Sequence, residues 1–360
     1  MSLEQAVSRL AGSLQVRPGQ RPALSGGRPP LAGRLLRGQP WQAAAQRLPL
    51  LYSLCGQAHR LSAELAVQAA RHGHAEASEA ARQALHAEVR REHQRHIVLD
   101  WPRLLASPGN HSAALGAHLG EDPRAWFGVS PQAWLRAWYD DPRGALQTFS
   151  DGREHWLARL LSACRQRAEA LALPLRALPL EAGSLRSIAH DLQRREGFVR
   201  RPELAGQPCE TGAWTRAHAA SSPVCDNAWL RLGARLADLA ELSLEHPRPL
   251  ALGALAMAEG QALAWCETAR GLLLHRVHVE THGPQPRICD YQILAPTEWN
   301  LHPRGALARA LEALPCDSSA RRQAELLLAV YDPCLAYQIE VGAPERPAPS
   351  ASDSGAYPHA

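Results

Sequence analysis

Apolar residues recur at steps of three and four along much of the chain. From Trp41 to His72 they include Leu48, Leu51 and Cys55, then Leu61, Leu65 and Ala69, the spacing of one buried helix face. Pro49 and Gly56 interrupt the run, so the pattern predicts a break or kink near Cys55. Gly73 reads as a helix stop. A second helix is expected from about Ala75 to Leu99, ending before Trp101-Pro102. Between 106 and 150 short helical pieces alternate with turn signals such as SPGN and EDPR, and 152–172 is again amphipathic helix. Residues 18–40, rich in Pro, Gly and Arg, read as a loop or extended arm, and 198–225 reads as irregular. A helix from Asn227 to Leu244 follows. Then the period changes: 250–266 is small and apolar, LLLHRVHVETHG alternates like a strand, and ICDYQILAPTEWN reads as a second strand-and-loop unit. Residues 305–329 return to helix, and the Pro/Ser-rich end, APERPAPSASDSGAYPHA, is expected to be disordered. Periodicity alone gives mostly helix with a few strands.

Composition narrows the chemistry. The 360 residues, 46% of them hydrophobic, suffice for a large core. All 39 basic residues are Arg, which excludes a Schiff-base lysine and a phosphate-loop lysine. The net charge of +4 is spread along the chain, with no basic run that would mark a nucleic-acid partner. Apolar runs are broken well short of a membrane span, and the start MSLEQAVSRLAG has no secretory pattern, so a cytoplasmic protein is expected. The eight cysteines are scattered without zinc-ribbon spacing and are expected to be reduced, mostly filling core.

Several side chains could carry chemistry, and each has a plain structural alternative. Cys334 follows Asp332-Pro333 in VYDPCLAYQIEV, a turn that resembles half of a Cys-x-x-Cys motif with Tyr337 at the second position. Cys55 lies beside the expected kink, with His59 four residues on. Either thiol could be a ligand or a buried structural cysteine, and His59 a ligand or a solvated surface residue. Glu92 and His96 share a helix face, suited to a metal, to proton relay, or to ion pairing with the neighbouring arginines. Arg270 precedes Gly271, which lets backbone approach closely, and a guanidinium suits an anionic ligand group.

Taken in order, these pieces resemble the large subunit of the nickel-iron hydrogenases over residues 3 to 340. SRLAGSLQV is similar to that family's opening Arg-Ile-Glu-Gly-His-Leu strand, with Ala11 for the Glu. AGRLLRGQPWQAAAQRLPLLYSLCG leads into its first cysteine motif; Ala58 stands for the second Cys and Ser62 for the His. REHQRHIVLDW, ETARGLLLH and YQILAPTEWN match three further blocks, and DPCLAYQIE resembles the closing Asp-Pro-Cys-x-x-Cys-x-x-His, with Tyr337 and Glu340 substituted.

The resemblance implies an α+β, mainly helical fold: a bundle of long helices carrying Cys55 at one end, and a small strand layer from 250 to 300 bringing Arg270 and Thr297 over it. It implies one domain over 1–340 and a disordered tail over 341–360. Both bridging thiols are missing, which argues against a working hydrogenase and against stable nickel binding, since a two-metal centre wants four thiolates. The pattern is similar to the HupK/HoxV type of hydrogenase maturation protein. That likeness implies a scaffold that transiently holds the Fe(CN)2(CO) unit through Cys55 and Cys334. Arg270 and Thr297 would meet its cyanides, Glu92 and His96 would stand behind them, and Asp332 would orient the Cys334 turn. Implied partners are a HypC-type chaperone, the HypC–HypD complex and the hydrogenase large-subunit precursor. The alternatives are a metal-free mimic that docks such chaperones, and an active hydrogenase subunit.

Overall fold

The structure, a computed structural model, describes residues 12–106, 122–152, 155–216, 224–283 and 285–342. Ala11 and the tail beyond 342 lie outside the described residues.

The expected break near Cys55 is the hinge between two helices. Helix α1 (Ala32–Leu36) and helix α2 (Ala43–Leu51) lead to a single tight turn, Ser53–Cys55, and helix α3 (Gly56–His72) starts directly after it. Gly73 ends α3 in the left-handed region at φ 79°, with its N–H donating to Ala69 O at 2.9 Å. Helix α4 (Glu79–Arg95) opens on Ser78, whose hydroxyl accepts the Ala81 N–H. The helix expected to reach Leu99 changes pitch at His96: a wider π-type turn spans His96–Asp100 before α5 (Trp101–Leu105). Pro102 has no amide hydrogen with which to continue a regular ladder there.

Helices α6 (Pro131–Asp140), α7 (Pro142–Gly152), α8 (Trp156–Ala170) and α9 (Ala182–Arg194) follow, then α10 (Ala228–Glu241), α11 (Pro296–Asn300), α12 (Ala306–Glu312) and α13 (Ala320–Tyr331). Strands β3 (Leu252–Ala256), β4 (Gln261–Thr268), β5 (Gly271–Val279) and β6 (Ile288–Leu294) form an antiparallel sheet in chain order. A second sheet joins the two ends of the chain. Strand β1 (Ser13–Val16) pairs antiparallel with β2 (Leu24–Gly27) and parallel with β7 (Ala336–Ile339). Residues 18–40 are therefore more ordered than a loop or arm: they hold β2 and α1.

Three apolar clusters hold these elements. The largest is helical, gathering Trp101, Trp134, Leu161, Trp229, Leu307 and Leu327 from α5, α6, α8, α10, α12 and α13. The second packs α3, through Leu61, Ala63 and Ala66, on one face of the large sheet at Ala262, Ala264 and Cys266. Small side chains on both surfaces let helix and sheet approach closely. The other sheet face presents Leu263, Leu272 and Leu274 to Ile188 and Leu192 of α9. Successive residues thus serve opposite faces, and β5 is apolar on both, with Leu273 and Val277 on the α3 side and Leu272 and Leu274 on the other. Each buried Leu contributes about 1.5–3 kcal/mol. Among the described residues no helix is long and apolar enough to cross a membrane.

Candidate metal centre

Several parts of the fold meet at one cavity of about 140 Å³. The tight turn before α3 delivers Cys55, and the first turn of α3 delivers His59. The β4–β5 hairpin delivers Arg270, the start of α11 delivers Thr297, and the turn after α13 delivers Cys334. Thr297 Oγ1 lies 3.0 Å from Cys334 Sγ. Arg28, from the segment after β2, donates to Cys334 O at 2.6 Å and lies 5.2 Å from the Tyr52 ring centroid. Cys55 and Cys334 come from opposite ends of the chain, and the pairing of β1 with β7 is what returns the C-terminal segment to the N-terminal half.

The thiols feel one another. Burial, and after it the nearby Cys334, push the Cys55 thiol well up, while Arg270 opposes. A buried thiol that resists ionising beside a second thiol is the arrangement that a bound cation would reverse, since coordination deprotonates a thiol.

Asp332 fixes the approach to Cys334. It ends α13 in the left-handed region at φ 47°, and Pro333 follows. Its backbone carbonyl accepts from Arg270 Nε at 3.1 Å, and its carboxylate lies 3.3 Å from Arg270 Nη2, 3.4 Å from Arg235 Nη1 and 3.2 Å from His96 Nδ1. Burial works to raise this carboxyl, but Arg270, His96 and Arg235 outweigh it and hold it well below the usual carboxylate range.

Glu92 and His96 do not line the cavity. Glu92 Oε2 receives Arg270 at 3.3 Å and Arg95 at 3.2 Å. The His96 Nε2–H donates to Ala329 O at 2.8 Å, and Nδ1 lies 2.9 Å from Asp100. The ion-paired alternative for this helix face is the one seen, but buried rather than solvated. His96, Asp100 and Asp332 present donor atoms within 4.8 Å of one another. Arg270 and Arg235 on Asp332, and Arg95 on Asp100, already supply the positive charge a cation would bring. The network continues to α10: Arg235 Nη1 donates to His93 Nδ1 at 3.2 Å, which leaves His93 Nε2–H to donate to Asp238 at 2.6 Å. Asp238 also receives Arg216, which reaches on to the Thr268 carbonyl at the base of the Arg270 hairpin.

Gly271 is required for packing. Its φ is +124°, and a Cβ there would lie 2.7 Å from the Thr211 backbone. The close approach expected at Gly271 is thus made by Thr211, while Arg270 beside it faces the cavity.

Sequence reasoning missed Glu88 and His275. Glu88 on α4 accepts the N–H groups of Gln57 at 2.7 Å and Ala58 at 3.0 Å, capping α3 from a neighbouring helix. The spacing of a Glu on one helix carries no trace of a cap on another. His275 Nε2 lies 3.0 Å from His59 Nδ1, and its Nδ1 is 2.7 Å from the Tyr291 hydroxyl. Its place in ETARGLLLH was visible, but not its partner on α3. His59, left open as a surface residue or a ligand, is 1% exposed.

The substituted positions have other partners. Ala58 is fully buried against the sheet, and Ser62 Oγ lies 3.1 Å from Cys266 Sγ. The Tyr337 hydroxyl is 3.4 Å from Arg103, and Glu340 pairs with Arg17 at 2.8 Å. The cavity therefore offers two thiols, not four, and does not fit a bimetallic thiolate-bridged centre.

No family model matches the chain. It is 42% identical to the hydrogenase expression/formation protein HoxV of Cupriavidus necator, covering 92% of this chain and 96% of that protein. It is 30% identical to HupK proteins of the same description from Bradyrhizobium diazoefficiens, covering 87% of this chain and 90% of the relative, and from Rhizobium leguminosarum bv. viciae, covering 89% and 92%. Among solved structures it is similar to the nickel-iron-selenium hydrogenase of D. vulgaris Hildenborough, with a TM-score of 0.52 and 16% identity over 86% of this chain and 92% of that one. An NAD+-reducing nickel-iron hydrogenase gives a TM-score of 0.54 at 15% identity, over 86% and 91%. The fold is thus the α+β, mainly helical fold of a hydrogenase large subunit. At the identities found, the chain belongs to the family of hydrogenase expression/formation proteins that includes HoxV and HupK.

Proposed function

We propose that this protein is a non-catalytic scaffold in nickel-iron hydrogenase maturation, and that it transiently holds the Fe(CN)2(CO) unit between Cys55 and Cys334. The observation that carries this reading is the pair of thiols from opposite chain ends lining one cavity, with Arg270 and Thr297 at its edge. Low-spin iron suits thiolate ligands, and its cyanides need hydrogen-bond donors around them. A guanidinium and a hydroxyl supply such donors. The Thr297 hydroxyl, 3.0 Å from Cys334 Sγ, can also donate to the thiolate that forms on binding. Because both thiols must lose protons, the unit is taken up with proton release and held more tightly as pH rises. The absence of thiols at Ala58 and Tyr337 keeps the site from recruiting nickel, so the iron unit remains cargo. Its source and destination are maturation partners: a HypC-type chaperone, alone or with HypD, and the large-subunit precursor.

The test is infrared spectroscopy of protein purified anaerobically from a host expressing a hydrogenase system. Wild type should show cyanide and carbonyl stretches, and Cys55→Ser and Cys334→Ser should each lose them. Retention of the bands in Cys55→Ser would overturn the assignment. Iron-free wild type that still captures a HypC-type chaperone would favour a metal-free docking mimic.

A further inference from the structure

The geometry points to His59 as a third protein ligand of the iron unit, donating its Nε2 lone pair to the metal. This rests on the reading of the cavity as an iron site and deepens it. His59 stands four residues after Cys55, in the first turn of the helix that the Cys55 turn leads into, and both line the cavity. The His59 ring is 1% exposed and stacked on Tyr52, with centroids 4.1 Å apart and planes at 13°, so its orientation is fixed.

Its far nitrogen is already used. His59 Nδ1 lies 3.0 Å from His275 Nε2, and His275 Nδ1 lies 2.7 Å from the Tyr291 hydroxyl. A neutral imidazole carries one N–H and one lone pair, so across the His59–His275 contact one ring donates and the other accepts. When His59 Nδ1–H donates to His275, and His275 Nδ1–H donates to Tyr291, the Nε2 lone pair of His59 is left for the cavity. A neutral imidazole whose other N–H is spent on a buried acceptor is the usual state of a metal-bound histidine. Tyr52 and His275 leave the ring no alternative partner among the described residues.

The chemistry supplies a reason for a third ligand. Low-spin ferrous iron takes six ligands; two cyanides, one carbonyl and two thiolates leave one position. Imidazole suits iron. The bond is dative: no proton leaves the ring, and the iron keeps its oxidation state. A neutral ligand also adds no further negative charge to a unit that already carries two cyanides and two thiolates.

The experiment uses the full chain, loaded in vivo and purified anaerobically. Low-spin ferrous iron is diamagnetic, so wild type labelled with ¹⁵N-histidine can be compared by nitrogen NMR with and without the iron unit. One ring nitrogen should move away from its uncoordinated position on loading. In His59→Gly the carbonyl stretch should shift, and the unit should be retained at least about tenfold less well through anaerobic gel filtration. Added imidazole should restore the wild-type band position. A loaded wild type with no responsive ring nitrogen, or a His59→Gly protein with unchanged carbonyl frequency and retention, overturns His59 as ligand while leaving the two thiolates standing. A wild type without cyanide and carbonyl bands overturns both readings. If His59→Gly fails to fold, the labelled wild type decides alone.

Discussion

Asp332 ties the charge network to the cavity: one carboxylate faces Arg270, Arg235 and His96, on a backbone that L-residues other than Asn and Asp rarely adopt. Asp332→Asn keeps that backbone accessible and removes only the charge. It leaves two buried guanidiniums short of a partner, and we expect a loss of about 3–5 kcal/mol in urea unfolding. A loss below about 1 kcal/mol would mean the network is not shared in this way. The pair of His93 and Asp238 sets a pH dependence. Burial, against the pull of Asp238, lowers His93 to about 4, and Arg216 and His93 overcome burial to hold Asp238 low. Both groups have folded values below their unfolded ones. The stability from His93 is therefore complete above about 6.5 and lost as pH falls towards 4; that from Asp238 is complete above about 3.9 and lost at lower pH. His93→Gln should flatten the fall in unfolding free energy between pH 6.5 and 4 by about 1.4 kcal/mol per pH unit, measured as urea midpoints across that window.

At the scale of elements, the cavity depends on how α3 and the β4–β5 hairpin are held. Gly271→Ala would force a side chain into φ +124° and against Thr211. It should cost about 1–3 kcal/mol and displace Arg270, weakening the cyanide and carbonyl bands even in protein that still folds. Glu88→Gln should weaken the cap on Gln57 and Ala58 by about 1 kcal/mol, read as a lower unfolding midpoint. These elements were unequally legible in the sequence. The break at Cys55, the stop at Gly73, the helix after Asn227 and strands β5 and β6 follow from local signals: a period, a proline, a glycine, a cap; β3 and β4, in the small apolar stretch, carry no such alternation. The parallel pairing of β1 with β7 does not, because its partners lie at opposite ends of the chain and neither strand exceeds four residues. The same limit hid the Glu88 cap and the His59–His275 contact, each made between elements that periodicity treats separately. Arg270, Thr297 and Cys334 could be named beforehand because short motifs carry them, and Glu92 and His96 because they share a motif, although they pack behind the cavity.

The whole molecule has the fold of a hydrogenase large subunit and half of the thiols such a centre needs. The two missing positions are built into other structure: Ala58 into the packing of α3, and Tyr337 into contact with Arg103. A protein of this kind should carry iron without nickel, so elemental analysis of anaerobic preparations should find iron with nickel at background. Stoichiometric nickel would contradict the absence of the second thiol pair. The central claim, that a large-subunit fold is used here to hold an incomplete centre, is tested most directly by the infrared spectrum of the anaerobically purified wild-type protein. The account predicts cyanide and carbonyl stretches that disappear when Cys55 or Cys334 becomes Ser. Bands that survive either substitution, or wild type without bands from a host actively making hydrogenase, would contradict it.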